Sequence, residues 1–242
     1  MEPIRNSQSA IRYPSHLVLF DVDGTLLLTG GAGSRCIRRA CVRILGEAFA
    51  WNPVTAGRLD QQIYLDLAAA CGIDGAADRF DEFKSTYLAE LQAELARRRE
   101  DVTVMPGVRA LLENLGQRED VAVGLLTGNF HRAVELKLAA AGLAMEQFVV
   151  GAYAEDGDER HDLVPVAMRR FEERTGYKLS PDRVILIGDT PRDIECAGAA
   201  GSRVLAVATG HYSLETLQAE NPDAAVATLE DAGPLWAMLD EK

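Results

Sequence analysis

The chain has 242 residues, 48% hydrophobic and 26% charged, with a formal charge of −12. That length suits one large domain, or one with a substantial insertion, and should bury about 70% of the unfolded surface without disulfides. The acidic balance argues against a nucleic-acid or anionic-membrane surface, and no run is long enough to cross a bilayer.

The first fifteen residues are polar, carry no signal-peptide pattern and read as a loose tail. Four cysteines (Cys36, Cys41, Cys71, Cys196) lack CxxC spacing. They read as reduced, mostly buried small residues, which points to the cytoplasm. "LVLFDVD" (17–23) is the first buried strand, and its apolar run ends in two carboxylates. From about Gly30 to Thr103 the patterns are helical only, over 34–49, 59–73 and 76–100. Met105-Pro106-Gly107 then punctuates a return, with a helix over 108–116.

Four more near-continuous apolar runs follow, at 121–129, 148–153, 183–189 and 203–210, as expected of strands covered on both faces. Helices alternate with them and end at Gly142, Gly176 and Gly201, each a suitable C′ residue. Alternation of this kind implies a parallel sheet of right-handed βαβ units. The expected fold is therefore α/β. A Rossmann-like core of residues 1–29 and 105–242 would carry an inserted all-helical cap at 30–104.

Ligands of open parallel sheets bind outside the carboxyl ends of the strands. Asp21 and Asp23 end the first strand, Thr127-Gly128-Asn129 the second, and Asp189 the fourth, with Asp193 close behind. Four carboxylates facing one crevice repel one another unless a cation neutralises them. Oxygen ligands with room for water and phosphate suit Mg²⁺. An aspartate can attack phosphorus to give an aspartyl-phosphate, and alternate strand residues share a face. One of Asp21 and Asp23 would then be the nucleophile and the other the acid/base. Gly24 and Thr25 suit close backbone approach to a phosphate. Thr127, Gly128 and Asn129 can hold its oxygens at a helix start, and Arg160 is the candidate fixed cation.

"DVDGTL", "LLTGN" and "IGDTPRD", in this order, resemble the haloacid dehalogenase superfamily on its phosphatase side, with a helical cap in the C1 position. The resemblance implies that Asp21 is the nucleophile and Asp23 the general acid/base. Metal would lie on the carboxylates of Asp21 and Asp189 and on the backbone carbonyl of Asp23, with Asp193 acting behind them or through a water. The implied reaction is Mg²⁺-dependent hydrolysis of a small phosphomonoester, phosphoglycolate-like or a sugar phosphate. The chain departs from the pattern in lacking the usual lysine between Phe148 and Arg183, where Arg160 is expected to substitute, with His161 or a cap arginine as the alternatives. Arginine keeps the charge but binds phosphate through a planar fork.

Each residue also has a plainer reading. Asp189 can be a helix N-cap, Thr127 a strand-end hydroxyl, Asn129 the N-cap of the helix from Phe130, and Arg58, assigned to the substrate's far end, a solvated arginine. Gly30, Gly31 and Gly33 read as a hinge for cap closure, or simply as a glycine-rich loop. His131, His161 and His211 lack metal-ligand spacing. The expected partner is a small phosphorylated metabolite, and the protein a monomer or homodimer. A phosphosugar mutase of the same superfamily is the alternative activity. A phospho-accepting binding module would not need the seventy-residue insertion.

Overall fold

A computed structural model describes residues 14–46 and 55–241. The expected tail therefore lies outside the described residues up to position 13, as does the end of the first cap pattern. Strand β1 (His16–Phe20) is buried along its whole length. It lies between β4 (Val121–Leu126) and β6 (Val184–Gly188), parallel to both. Adding β5 (Val150–Ala152), β7 (Arg203–Val207) and β8 (Ala224–Val226) completes a parallel sheet of order β5-β4-β1-β6-β7-β8. Alternate residues of β1 enter different clusters, Leu17 and Leu19 on one face, Val18 and Phe20 on the other. Burial on both faces explains why these strands are continuous apolar runs.

The connecting helices stand where the sequence patterns put them. They are α4 (Val108–Gly116), α5 (His131–Ala141), α6 (Leu163–Thr175) and α7 (Pro191–Ala200). The last three stop at Gly142, Gly176 and Gly201, all left-handed, as a C′ glycine permits. Helices α8 (Leu214–Ala219) and α9 (Gly233–Asp240), with β8, finish the sheet edge and were not marked by periodicity. The expected strands prove shorter than the apolar runs, because their last residues turn out of the sheet. Asp21, Thr127 and Asp189 lie in those turns.

Between β1 and β4 come α1 (Ala32–Leu45), α2 (Asp60–Ala70) and α3 (Phe80–Arg97). They are flanked by β2 (Leu27–Leu28) and β3 (Thr103–Val104), an antiparallel pair that closes the base of the segment. α1 and α3 pack on each other, and Glu94 accepts from Arg35 and Arg39 across that contact at 3.0 Å each. The stacked rings of Tyr64, Phe83 and Tyr87 fill the interior, with Phe130 of the sheet layer against them. No helix among the described residues is long and apolar enough to cross a membrane.

Candidate active site

Strand order reverses at β1, so the crevice beyond its carboxyl end is the switch point where ligands of such sheets bind. The Asp21 amide donates to the Ile187 carbonyl at 2.9 Å, which extends the β1–β6 ladder and sets Asp21 beside Asp189. Carboxylate oxygens of Asp21, Asp189 and Asp193 gather within 4.8 Å of one another, all buried. Thr25 Oγ1 donates to Asp189 Oδ1 at 3.2 Å. Gly24, at φ +87°, leaves room for that carboxylate, where a Cβ would overlap it. Asp193 is fully occupied. Its Oδ1 takes Arg160 Nη2 at 2.5 Å, and its Oδ2 takes the Thr190 amide and hydroxyl at 3.1 and 2.7 Å.

Burial raises Asp21 and Asp189 above the usual carboxylate range. Arg160 lowers Asp21 and Asp193 raises it, whereas Asp189 is raised further by Asp21 and Asp193. Arg160 is the only buried cation against this trio among the described residues, and its Nη2 also lies 3.3 Å from Asp21 Oδ1. Three buried carboxylates against one arginine form an electron-rich oxygen set with Asp21 and Asp189 still open. Such a set fits a hard divalent cation. The buried Arg160 Nε has no hydrogen-bond partner.

Asp23 is placed differently. Its side chain is 41% exposed, and its Oδ2 receives Asn129 Nδ2 at 2.7 Å and Lys137 Nζ at 2.5 Å. Lys137 also donates to Asn129 Oδ1 at 2.5 Å, and Asn129 Nδ2 bonds Thr127 Oγ1 at 2.9 Å. Asn129 thus links Thr127, Lys137 and Asp23, and the residue before α5 is Phe130 rather than Asn129. The N-cap reading of Asn129 is corrected, because its amide is used in the crevice. Asp189 likewise is not a cap, since Thr190 is the N-cap of α7.

The helical segment closes over these groups. At Gly128 a Cβ would overlap the Arg58 carbonyl, so glycine lets the chain before α2 lie on this turn. There the Asp60 amide donates to the Gly128 carbonyl at 2.7 Å, and Asp60 Oδ2 accepts from the Phe130 amide at 3.0 Å. Arg160 Nη1 reaches the Gly57 carbonyl at 3.3 Å. Arg58 lines the cavity, but its guanidinium is bound to Asp66. The partly open cavity measures about 320 Å³ and is lined by residues from Asp21 to Tyr87.

Sequence reasoning missed Lys137, Asp60 and Tyr87. Lys137 was legible in part, because it falls on the buried stripe of α5 with Ala133, Val134 and Leu138, where a lysine needs a partner. Asp60 heads a helix, and Tyr87 sits on the stripe of Phe83 and Leu91. Neither pattern distinguishes a cavity wall from ordinary core.

A family model described as haloacid dehalogenase-like hydrolase matches residues 18–198. The phosphoglycolate phosphatase of Synechococcus elongatus is 26% identical over 216 residues, 88% of this chain and 93% of that protein. The N-acetylmuramic acid 6-phosphate phosphatase of Pseudomonas putida is 26% identical over 206 residues, 85% of this chain and 86% of its own. Among solved structures, CbbY from Rhodobacter sphaeroides in complex with phosphate superposes with a TM-score of 0.72 at 21% identity. That alignment covers 93% of this chain and 99% of CbbY.

Proposed function

The chain belongs to the haloacid dehalogenase-like hydrolase family, and on that premise we propose that it is a Mg²⁺-dependent phosphatase of small phosphomonoesters. The observation that carries this reading is the pairing at the end of β1. A buried Asp21 faces the acidic trio and Arg160, and a more exposed Asp23 is held by Asn129 and Lys137. Magnesium on Asp21, Asp189 and the Asp23 carbonyl would supply positive charge beside the phosphoryl oxygens.

In this proposal an Asp21 carboxylate oxygen attacks phosphorus and the ester P–O bond breaks. The leaving oxygen takes the proton of Asp23. Asp23, now ionised, accepts a proton from water as that water attacks the aspartyl-phosphate, which returns Asp21 and releases phosphate. Because Oδ2 of Asp23 already accepts two donors, Oδ1 is the oxygen left to exchange that proton. Arg160 would hold the transferred group, and Thr127 with the Gly128–Asn129 turn would hold the remaining oxygens. Asp193 would orient Arg160.

Residues 30–104 would act as a cap that excludes water and reads the leaving group, turning on Gly30 and Gly31, both at positive φ. The two phosphatases compared above are named for a phosphoglycolate and an amino-sugar phosphate. A compact, oxygen-rich alcohol phosphate is thus the substrate class to try first. The test is phosphate release from a panel of such esters, with and without Mg²⁺, for wild type and Asp21→Asn. Metal-dependent release that the variant loses supports the reading. An isomerised phosphosugar without free phosphate would favour the mutase instead.

A further inference from the structure

One wall of the cavity carries two buried hydrogen-bond donors that are only partly satisfied. Lys137 is 2% exposed and gives one proton to Asp23 and one to Asn129. An ammonium has three, and the described residues offer the third no acceptor. Beside it stands Tyr87 of α3, whose side chain is wholly buried and whose Oη makes no hydrogen bond. The Asp60 carboxylate is close enough to act as a weak acceptor for the phenol, although outside ordinary hydrogen-bond geometry. Burial, then Asp60, holds Tyr87 well above the ordinary tyrosine range, so Oη remains a donor.

Both groups line the cavity that begins at Asp21, and both flank Gly33 of α1. A Cβ at Gly33 would lie 3.5 Å from Lys137 Nζ and 4.0 Å from Tyr87 Oη. The glycine leaves a small space between two buried donors. Buried donors of this kind are normally satisfied, so an acceptor belongs there.

We propose that Lys137 and Tyr87 form a leaving-group subsite for an oxygen acceptor on the carbon next to the ester carbon: a hydroxyl, carbonyl or carboxylate oxygen. The inference rests on the phosphatase reading, which sets the ester oxygen at Asp23. Asp23 Oδ1 serves that oxygen, and Lys137 sits on the other side of the same carboxylate. A second oxygen one carbon removed is the first substrate atom able to meet Nζ while the ester oxygen stays at Asp23. Apolar Ile37 and Ile63 also line the cavity and offer such an oxygen no competing partner. The subsite therefore selects esters of vicinal diols and α-hydroxy acids over plain alkyl phosphates.

Two esters that differ by a single hydroxyl, 2-hydroxyethyl phosphate and ethyl phosphate, test this with Mg²⁺ present. Wild type is expected to favour the former by about a hundredfold or more in kcat/KM, because a site built to bond an oxygen discriminates strongly against its absence. Tyr87→Phe should lower that ratio about tenfold. Gly33→Ala should do the same by filling the space, and it meets no clash and lies in a helix where alanine is favoured. A thermal midpoint at or above wild type then separates a filled subsite from a damaged fold. Turnover of both esters at similar kcat/KM, or a ratio that survives both substitutions, would overturn the subsite and leave the phosphatase reading standing. No turnover of any ester would remove the phosphatase reading and the subsite together.

Discussion

The two aspartates at the end of β1 are separated by one residue and live in opposite surroundings. Asp21 is buried among carboxylates, with Arg160 as its one protein cation. Asp23 is half open, with a single buried lysine and an asparagine gripping one oxygen. The Asp21 half is built from strand ends and the loop carrying Arg160. The Asp23 half needs α5 together with α1, α2 and α3. Similar charges are thus suited to two tasks. Crowded carboxylates beside one arginine suit a metal and a phosphoryl group, whereas a carboxyl with one free oxygen suits proton transfer to a leaving group.

The largest expected effect breaks the first half. Asp21→Asn should lower phosphate release by roughly 10⁴-fold or more, for every ester alike, since no nucleophile remains. Asp23→Asn should cost about 10²–10⁴-fold on alkyl esters, as loss of a general acid/base does. Its cost should shrink on p-nitrophenyl phosphate, whose leaving oxygen needs little protonation. If both variants lost the same factor on both esters, the division of labour between the aspartates would be wrong.

Lys137→Met sharpens the second half. It removes one partner of the pair with Asp23 and leaves Asn129 Oδ1 without its donor, so the thermal midpoint should fall, moderated because the Asp23 side chain is 41% exposed. Activity on alkyl esters should fall about 10²-fold under conditions where the variant is still folded, with Lys137→Arg restoring only part. Wild-type activity in the folded variant would make Lys137 a core residue and nothing more.

The smallest effect concerns Asp60, which burial raises to about 7 from 3.8, with Lys137 pulling it down. The folded chain holds a proton on Asp60 between those values that the unfolded chain has released. This stabilisation is whole below about pH 4 and is lost as pH rises through about 7, amounting to a few kcal/mol at most. In Asp60→Asn that part of the pH dependence of denaturant midpoints should vanish, and the variant should be relatively more stable at pH 8. An unchanged slope between pH 4 and 8 would mean that Asp60 is not held neutral.

Much of the fold was legible in the sequence. The five apolar runs became parallel strands because both faces of the sheet are covered, and Gly142, Gly176 and Gly201 ended helices as left-handed C′ residues. The short β2–β3 pair and β8 were not, since two or three residues carry no period. Asp21, Asp189 and Asp193 were readable because a carboxylate after an apolar strand has few other uses. Asn129 was ambiguous until its amide was seen bonding Asp23 rather than capping α5.

By itself, then, the sequence determined the strand ends and the residues riding on them, since period, apolar content and turn chemistry act over a few neighbours. Only the tertiary structure decided which cation meets which aspartate. Arg160 is 139 positions along the chain from Asp21, and Lys137 is 114 from Asp23. Tyr87 and Asp60 join the site only when α3 and α2 pack over α5. Pairings at such distances follow from how layers dock, and burial then turns an ordinary lysine and tyrosine into directed donors.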